Sequence, residues 1–149
     1  SWVKLRDRVR PDQPVLWFFN THFDHRGKQA RLESARLLRQ KIREMCGEDL
    51  VIVTGDFNAA GDSEPYRALF DVGERTGESL VDCYAEAHSQ PAEHQGTFSG
   101  FDPDARAGAR IDWIAARGWR VSEAWIDRTT FDGRTASDHW PVMAVLGRR

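Results

Sequence analysis

The sequence has only two cysteines, Cys46 and Cys83, which excludes a disulfide-stapled scaffold. It has no long hydrophobic run: the longest, Val15 to Phe19, falls far short of a bilayer span, so no transmembrane segment is expected. It has little net charge. The 21 Lys and Arg nearly balance the 23 Asp and Glu, leaving −2. That excludes a broadly basic nucleic-acid coat, although a local basic patch stays open. Lysine is scarce, with Lys4, Lys28 and Lys41 set against a majority of arginines. The chain has no initiator methionine and opens on neither a signal peptide nor a lipidation motif. It enters strand-like sequence at Ser1-Trp2-Val3, which predicts further sequence upstream and leaves localisation open.

What remains is globular. The 149 residues are 40% hydrophobic and 30% charged, enough for one domain or part of a larger one. Trp2 to Val9 alternates apolar and charged residues, and Arg10-Pro11-Asp12-Gln13-Pro14 is turn chemistry. Val15 to Phe19 reads as a strand covered on both faces, forming a hairpin with the first. Leu32, Ala35, Leu38, Ile42 and Met45 make one apolar stripe, which predicts a helix over 28–46 stopped by Gly47. Leu50 to Val53 is a second buried strand, and Ser63 to Phe70 a short helix capped by Ser63. Glu86 to Ala109 reads as a long loop. Residues 109–116 and 119–128 are expected as a hairpin around Arg117-Gly118, and Val142 to Leu146 as the last strand. One long helix and about six strands predict a mixed sheet packed on helices. Its other face needs cover that this chain has little to supply.

Four segments at strand ends carry chemistry. Asn20-Thr21-His22-Phe23-Asp24-His25 follows a buried strand, and alternation puts Asn20, His22 and Asp24 on one face. Asp56 and Asn58 of Gly55-Asp56-Phe57-Asn58 share a face while Phe57 turns inward. A carboxylate there can bind a metal or activate water, but the pair also suits a plain Asx-turn. Asp112 lies within an apolar strand, where a carboxylate needs a partner such as histidine. Asp138 and His139 precede the last strand, the first a candidate metal ligand, the second a candidate acid or phosphate donor.

In this order, NTHFDH, GDFN, RIDWI and SDHWPV resemble the C-terminal half of the endonuclease/exonuclease/phosphatase superfamily, the DNase I-like metal-dependent phosphoesterases. Gly96 to Phe101 is similar to bacterial members. The resemblance implies an α+β chain. Residues 1–149 would be part of a four-layer α/β sandwich, with a mixed, largely antiparallel sheet and flanking helices, lacking the N-terminal half. It implies that His22 contacts the scissile phosphate and Asp56 orients or deprotonates the attacking water. Asn58 would hold phosphate and water, and Asp112 would pair with His139, which stabilises the transition state. Asp138, with Asp56, would bind the metal. Oxygen-rich ligands and no paired cysteines favour Mg²⁺ or Mn²⁺. The substrate is a phosphoester: a nucleic acid, a phospholipid head group or a small phosphodiester. Asn20, Asp24, His25, Arg31, Phe98 and Trp140 are candidates to border it. For Asp24 and His25 a capping loop, and for Arg31 a solvated helix face, are the plainer readings. The metal-binding Glu of the family's first half has no counterpart here. The 149 residues alone are therefore expected to bind metal weakly, to turn over slowly, and to need their missing half as a partner.

Overall fold

The computed structural model describes residues 1–70, 79–88 and 94–148. β1 (Trp2–Leu5) pairs antiparallel with β2 (Leu16–His22), the expected hairpin. α1 spans Lys28–Cys46 and buries Ala35, Ile42 and Cys46, with Leu38 and Met45 against the same core. Gly47 ends it at φ 45°, a conformation that suits glycine. The helix returns the chain to β3 (Leu50–Asp56), which lies parallel to β2, as a crossover helix permits. α2 (Glu64–Phe70) follows, with the Ser63 hydroxyl accepting the Tyr66 N–H at 3.3 Å.

The five-stranded sheet has the order β1-β2-β3-β5-β4, with β4 at Val81–Asp82 and β5 at Asp112–Arg117. It is mixed, and only the β2–β3 pair is parallel. One face carries Trp17, Phe19, Val51, Val53, Trp113 and Ala115 into a core shared with α1 and α2. Period-2 alternation turns the neighbouring residues to the opposite face.

Two expectations need correction. Residues 109–116 and 119–128 do not form a hairpin. β5 lies between β3 and β4 and has no free edge. The chain turns at Gly118 (φ 80°), and β6 (Trp119–Ile126) pairs instead with β7 (Val142–Arg148) in a separate two-stranded sheet. The Glu86–Ala109 loop also begins inside a short helix, α3 (Cys83–Ala87), which Asp82 caps by accepting from the Tyr84 and Ala85 amides. Residues 89–93 of that loop lie outside the described residues.

The second sheet and α3 supply part of the missing cover. Cys83, Tyr84, Ala116 and Ala124 form a second buried cluster, joined by Ile114, Ala144 and Leu146. Toward β1 the same face stays open: Val3 and Leu5 are exposed, and Leu16, Phe18 and Ile52 half-buried. Among the described residues, no helix is long and apolar enough to cross a membrane.

Candidate active site

The register brings three chemical residues into one row. His22 on β2 lies opposite Asp56 on β3, and Asp56 opposite Asp112 on β5. Gly55 makes the approach of β2 and β3 possible beside them: a Cβ there would lie 2.0 Å from the Thr21 carbonyl oxygen. His139 then reaches the row from the segment before β7. Its Nδ1 lies 2.8 Å from Asp112 Oδ2, and its Nε2 lies 3.9 Å from Asp56 Oδ2. His22 Nε2 stands 3.3 Å from the same Asp56 oxygen, on a ring largely open to solvent.

Asp56 is aimed by a turn. Its Oδ1 accepts the Asn58 N–H at 2.8 Å, and Asn58 adopts φ 48°, which asparagine tolerates better than most residues. The Asx-turn is thus closed by the two residues that the resemblance singles out. Phe57 points inward as expected, fully buried and stacked on Trp113 at 4.3 Å. The side-chain amide of Asn58 donates to Phe23 O at 3.0 Å and to Asp56 Oδ2 at 3.2 Å. Both of its N–H groups are therefore engaged, and it holds Asp56 rather than presenting a spare donor.

The electrostatics follow from this packing. Burial lifts the Asp56 carboxyl above the ordinary aspartate range, and the Asp112 charge adds to that, against the pull of the Asn58 amide and the two histidines. For His139, burial pushes downward, but the bond to Asp112 and the charges of Asp112, Asp56 and Asp138 push harder upward. The imidazolium is therefore favoured. Its contribution is present at low pH and lost as pH rises through the elevated folded value. Asp112→Asn removes the largest upward influence, so the titration midpoint of His139 falls and that loss begins at lower pH. An NMR titration of the imidazole in metal-free buffer measures it. An unmoved midpoint rules out Asp112 as the partner that sets this ionisation.

The remaining candidates fall into two groups. Asn20 donates from its amide to Thr54 Oγ1 at 2.9 Å, one step back along the row. Phe98 is exposed, and its ring lies edge-on to His139 at 5.3 Å. Asp138 adjoins His139 and accepts from the Ser137 hydroxyl at 3.3 Å. Its carboxylate is not part of the one group of metal-ligand type among the described residues, in which Asp56, Asp112 and His139 offer atoms within 4.8 Å of one another. A groove of about 330 Å³ opens over that group.

Asp24 and Arg31 are occupied elsewhere. Asp24 Oδ1 accepts from the Arg26 and Gly27 amides, which holds its carboxyl below the usual range, and Arg31 donates to the Asp24 carbonyl. These two build the turn into α1, and the exposed His25 lies on that turn. Trp140, expected to border the site, is 2% exposed. Its indole N–H donates to Ala105 O, and the Arg106 and Arg128 guanidinium groups lie 5.3 and 5.2 Å from its ring centre, yet it still lines the groove over Asp56, Asp112 and His139. A larger cavity, about 950 Å³, lies between α1 and α2 against Arg36, Arg39, Arg43 and Arg67, and none of the strand-end residues lines it.

Reasoning from sequence missed the supports. Thr97 is fully buried behind Asp112, and Arg110 forms a buried ion pair with Asp82. The signal for Arg110 was its place at the head of an apolar strand, where an arginine needs a partner.

No family model and no curated protein matches the chain. Solved structures do. An endonuclease/exonuclease/phosphatase family protein from Bacteroides thetaiotaomicron is 31% identical, at TM-score 0.78, over 97% of this chain and 52% of its own. A mannosyl-6-phosphatase of the same species is 30% identical, at TM-score 0.80, over 98% and 55%. The human Nocturnin catalytic domain, solved with a bound sulfate, is 20% identical at TM-score 0.73, over 99% and 52%, and shares the fold alone. The chain thus spans about half the length of the structures it matches. Its fold is the α+β arrangement of the DNase I-like proteins, and its match to endonuclease/exonuclease/phosphatase family structures over about half their length is consistent with the C-terminal half of that domain.

Proposed function

We propose that this chain carries the C-terminal half of the catalytic domain of a metal-dependent phosphodiesterase. The observation behind the reading is the His22, Asp56, Asp112 and His139 array, drawn from three adjacent strands and the segment before β7. Asp56, with its raised proton affinity, orients a water and takes its proton as the water oxygen bonds to phosphorus. The bond from phosphorus to the leaving oxygen breaks in line with that attack. His139, held by Asp112, donates to the phosphoryl oxygen on which charge develops, and His22 contacts the same phosphate. Asn58 orients Asp56. Asn20 and Phe98 border the phosphate's substituents.

The donor set suits a hard divalent ion. Asp56 and Asp112 would offer carboxylate oxygens to one ion, His139 staying beside them as the donor, and Asp138 is a further ligand that the family resemblance supplies. Mg²⁺ or Mn²⁺ bound there would neutralise charge on the phosphoryl oxygens.

The test assays the longer protein that carries this segment on bis-p-nitrophenyl phosphate. Turnover is expected to vanish in EDTA and to return with Mg²⁺ or Mn²⁺. Activity that returns with Zn²⁺ alone overturns the metal assignment. Preference for p-nitrophenyl phosphate moves the reading to a phosphomonoesterase, which the name of the mannosyl-6-phosphatase relative favours. Absence of turnover with retained binding of a phosphorylated ligand replaces the enzyme by a binding module. Full turnover by the 149 residues alone overturns the division into halves.

A further inference from the structure

The Asp112–His139 pair joins residues 27 apart in sequence, and neither is held by the other alone. Asp112 begins β5, where the strand ladder gives out. The amides of Ile111 and Asp112 both donate to one side-chain oxygen, Thr97 Oγ1, at 3.0 and 3.3 Å. A hydroxyl oxygen has two lone pairs and can accept both. The backbone of the same residue reaches the other partner. The Trp140 N–H donates to the Thr97 carbonyl at 2.7 Å, and Phe98 forms an antiparallel bridge with His139. Next along, the amides of Ser99 and Gly100 donate to Asp138 O. Thr97 is completely buried, so no water can replace its hydroxyl.

We propose that Thr97 is a positioning residue that fixes Asp112 against His139. Its side chain sets where the carboxylate-bearing strand begins. Its main chain sets where the histidine-bearing segment lies. Valine in its place keeps the shape and deletes the oxygen, leaving two amides without an acceptor and Asp112 without a fixed origin. The proposal concerns the pair to which the preceding reading gives a catalytic role, and its test does not depend on catalysis.

The experiment is proton NMR of the full 149-residue chain, observing the low-field Nδ1–H of His139 that its bond to Asp112 produces. His139→Gln identifies the resonance by removing it. In T97V the signal is expected to vanish or shift upfield while the rest of the spectrum stays dispersed, and in T97S to remain at the wild-type position. A T97V spectrum with the signal unmoved overturns the proposal. Should T97V not fold, T97S decides: the signal retained supports the role of the hydroxyl, and the signal lost from a folded T97S overturns it. In the longer protein, T97V is expected to lower kcat by about 10-fold or more with KM within about twofold, and T97S to restore it, since a small misplacement is felt mainly in the transition state. If the NMR result holds and the wild-type protein shows no phosphoester hydrolysis, the functional reading fails and the positioning role stands.

Discussion

His139→Ala is expected to lower phosphoester turnover by roughly 10²- to 10³-fold, the usual loss when one aligned transition-state donor is removed. The residue stands where the site's charges meet. Nδ1 is committed to Asp112 at 2.8 Å, which leaves Nε2 facing the groove near Asp56. No other described side chain can take over that position. His22 approaches Asp56 from β2, on the other side from Asp112, and its ring is largely open to solvent, so it does not reach the place that His139 takes beside Asp112. The stability cost should be small. Asp112 keeps partial exposure, and water can reach its carboxylate once the imidazole is gone. The measurement is kcat/KM on a phosphodiester, with thermal unfolding as the control. Rates near wild type in a folded H139A protein refute the assignment of the donor.

The second large effect is structural. Asp82→Ala is expected to remove about 3 to 5 kcal/mol of stability, the usual result of breaking a buried ion pair from one side. The side chains of Asp82 and Arg110 are 2% and 6% exposed. Asp82 caps α3 through the Tyr84 and Ala85 amides and accepts from the Tyr66 hydroxyl at 3.0 Å. Arg110 lies over the Tyr84 ring at 4.8 Å and donates to the Asp112 carbonyl. Removing Asp82 leaves the buried guanidinium without its counter-ion. Such a loss is a large share of what a domain has to spare. Urea unfolding checks it. The midpoint should fall by about 1 M or more, given the slopes usual for small domains. Replacing both partners, as in D82A/R110M, should recover part of the loss, because the apolar side chain needs no counter-ion. A midpoint in D82A within error of wild type shows that the pair contributes nothing.

The two effects separate what was legible from what was not. His139 and its neighbours stood out in the sequence because short polar groups at strand ends follow apolar runs, and those runs are local. The Asp82–Arg110 pair did not stand out. Arg110 at the head of an apolar strand needs a partner, but nothing local names Asp82, which lies 28 positions away in sequence. The same holds for Thr97, whose hydroxyl looks like any loop threonine until β5 starts beside it.

By itself the sequence determined the elements whose signal is periodic. The stripe from Leu32 to Met45 set α1 at Lys28–Cys46, and the apolar runs placed β2 and β3. It determined the Asp56–Asn58 turn as well, because an Asx-turn is closed by atoms two residues apart. Tertiary structure alone decided the partners. β5 and β6 are joined by a single glycine, yet they lie in different sheets, since β3 and β4 already occupy both edges of β5. Trp140 is flanked by residues of the site yet almost wholly buried, because the Arg106 and Arg128 guanidinium groups from other loops lie against its ring. His22, Asp56 and Asp112 form a row only through the register of three strands. The physical reason is range. Periodicity and capping are fixed by atoms within a turn or two of helix. Strand pairing, burial and ion pairing depend on which distant surface arrives, and no local pattern carries that information.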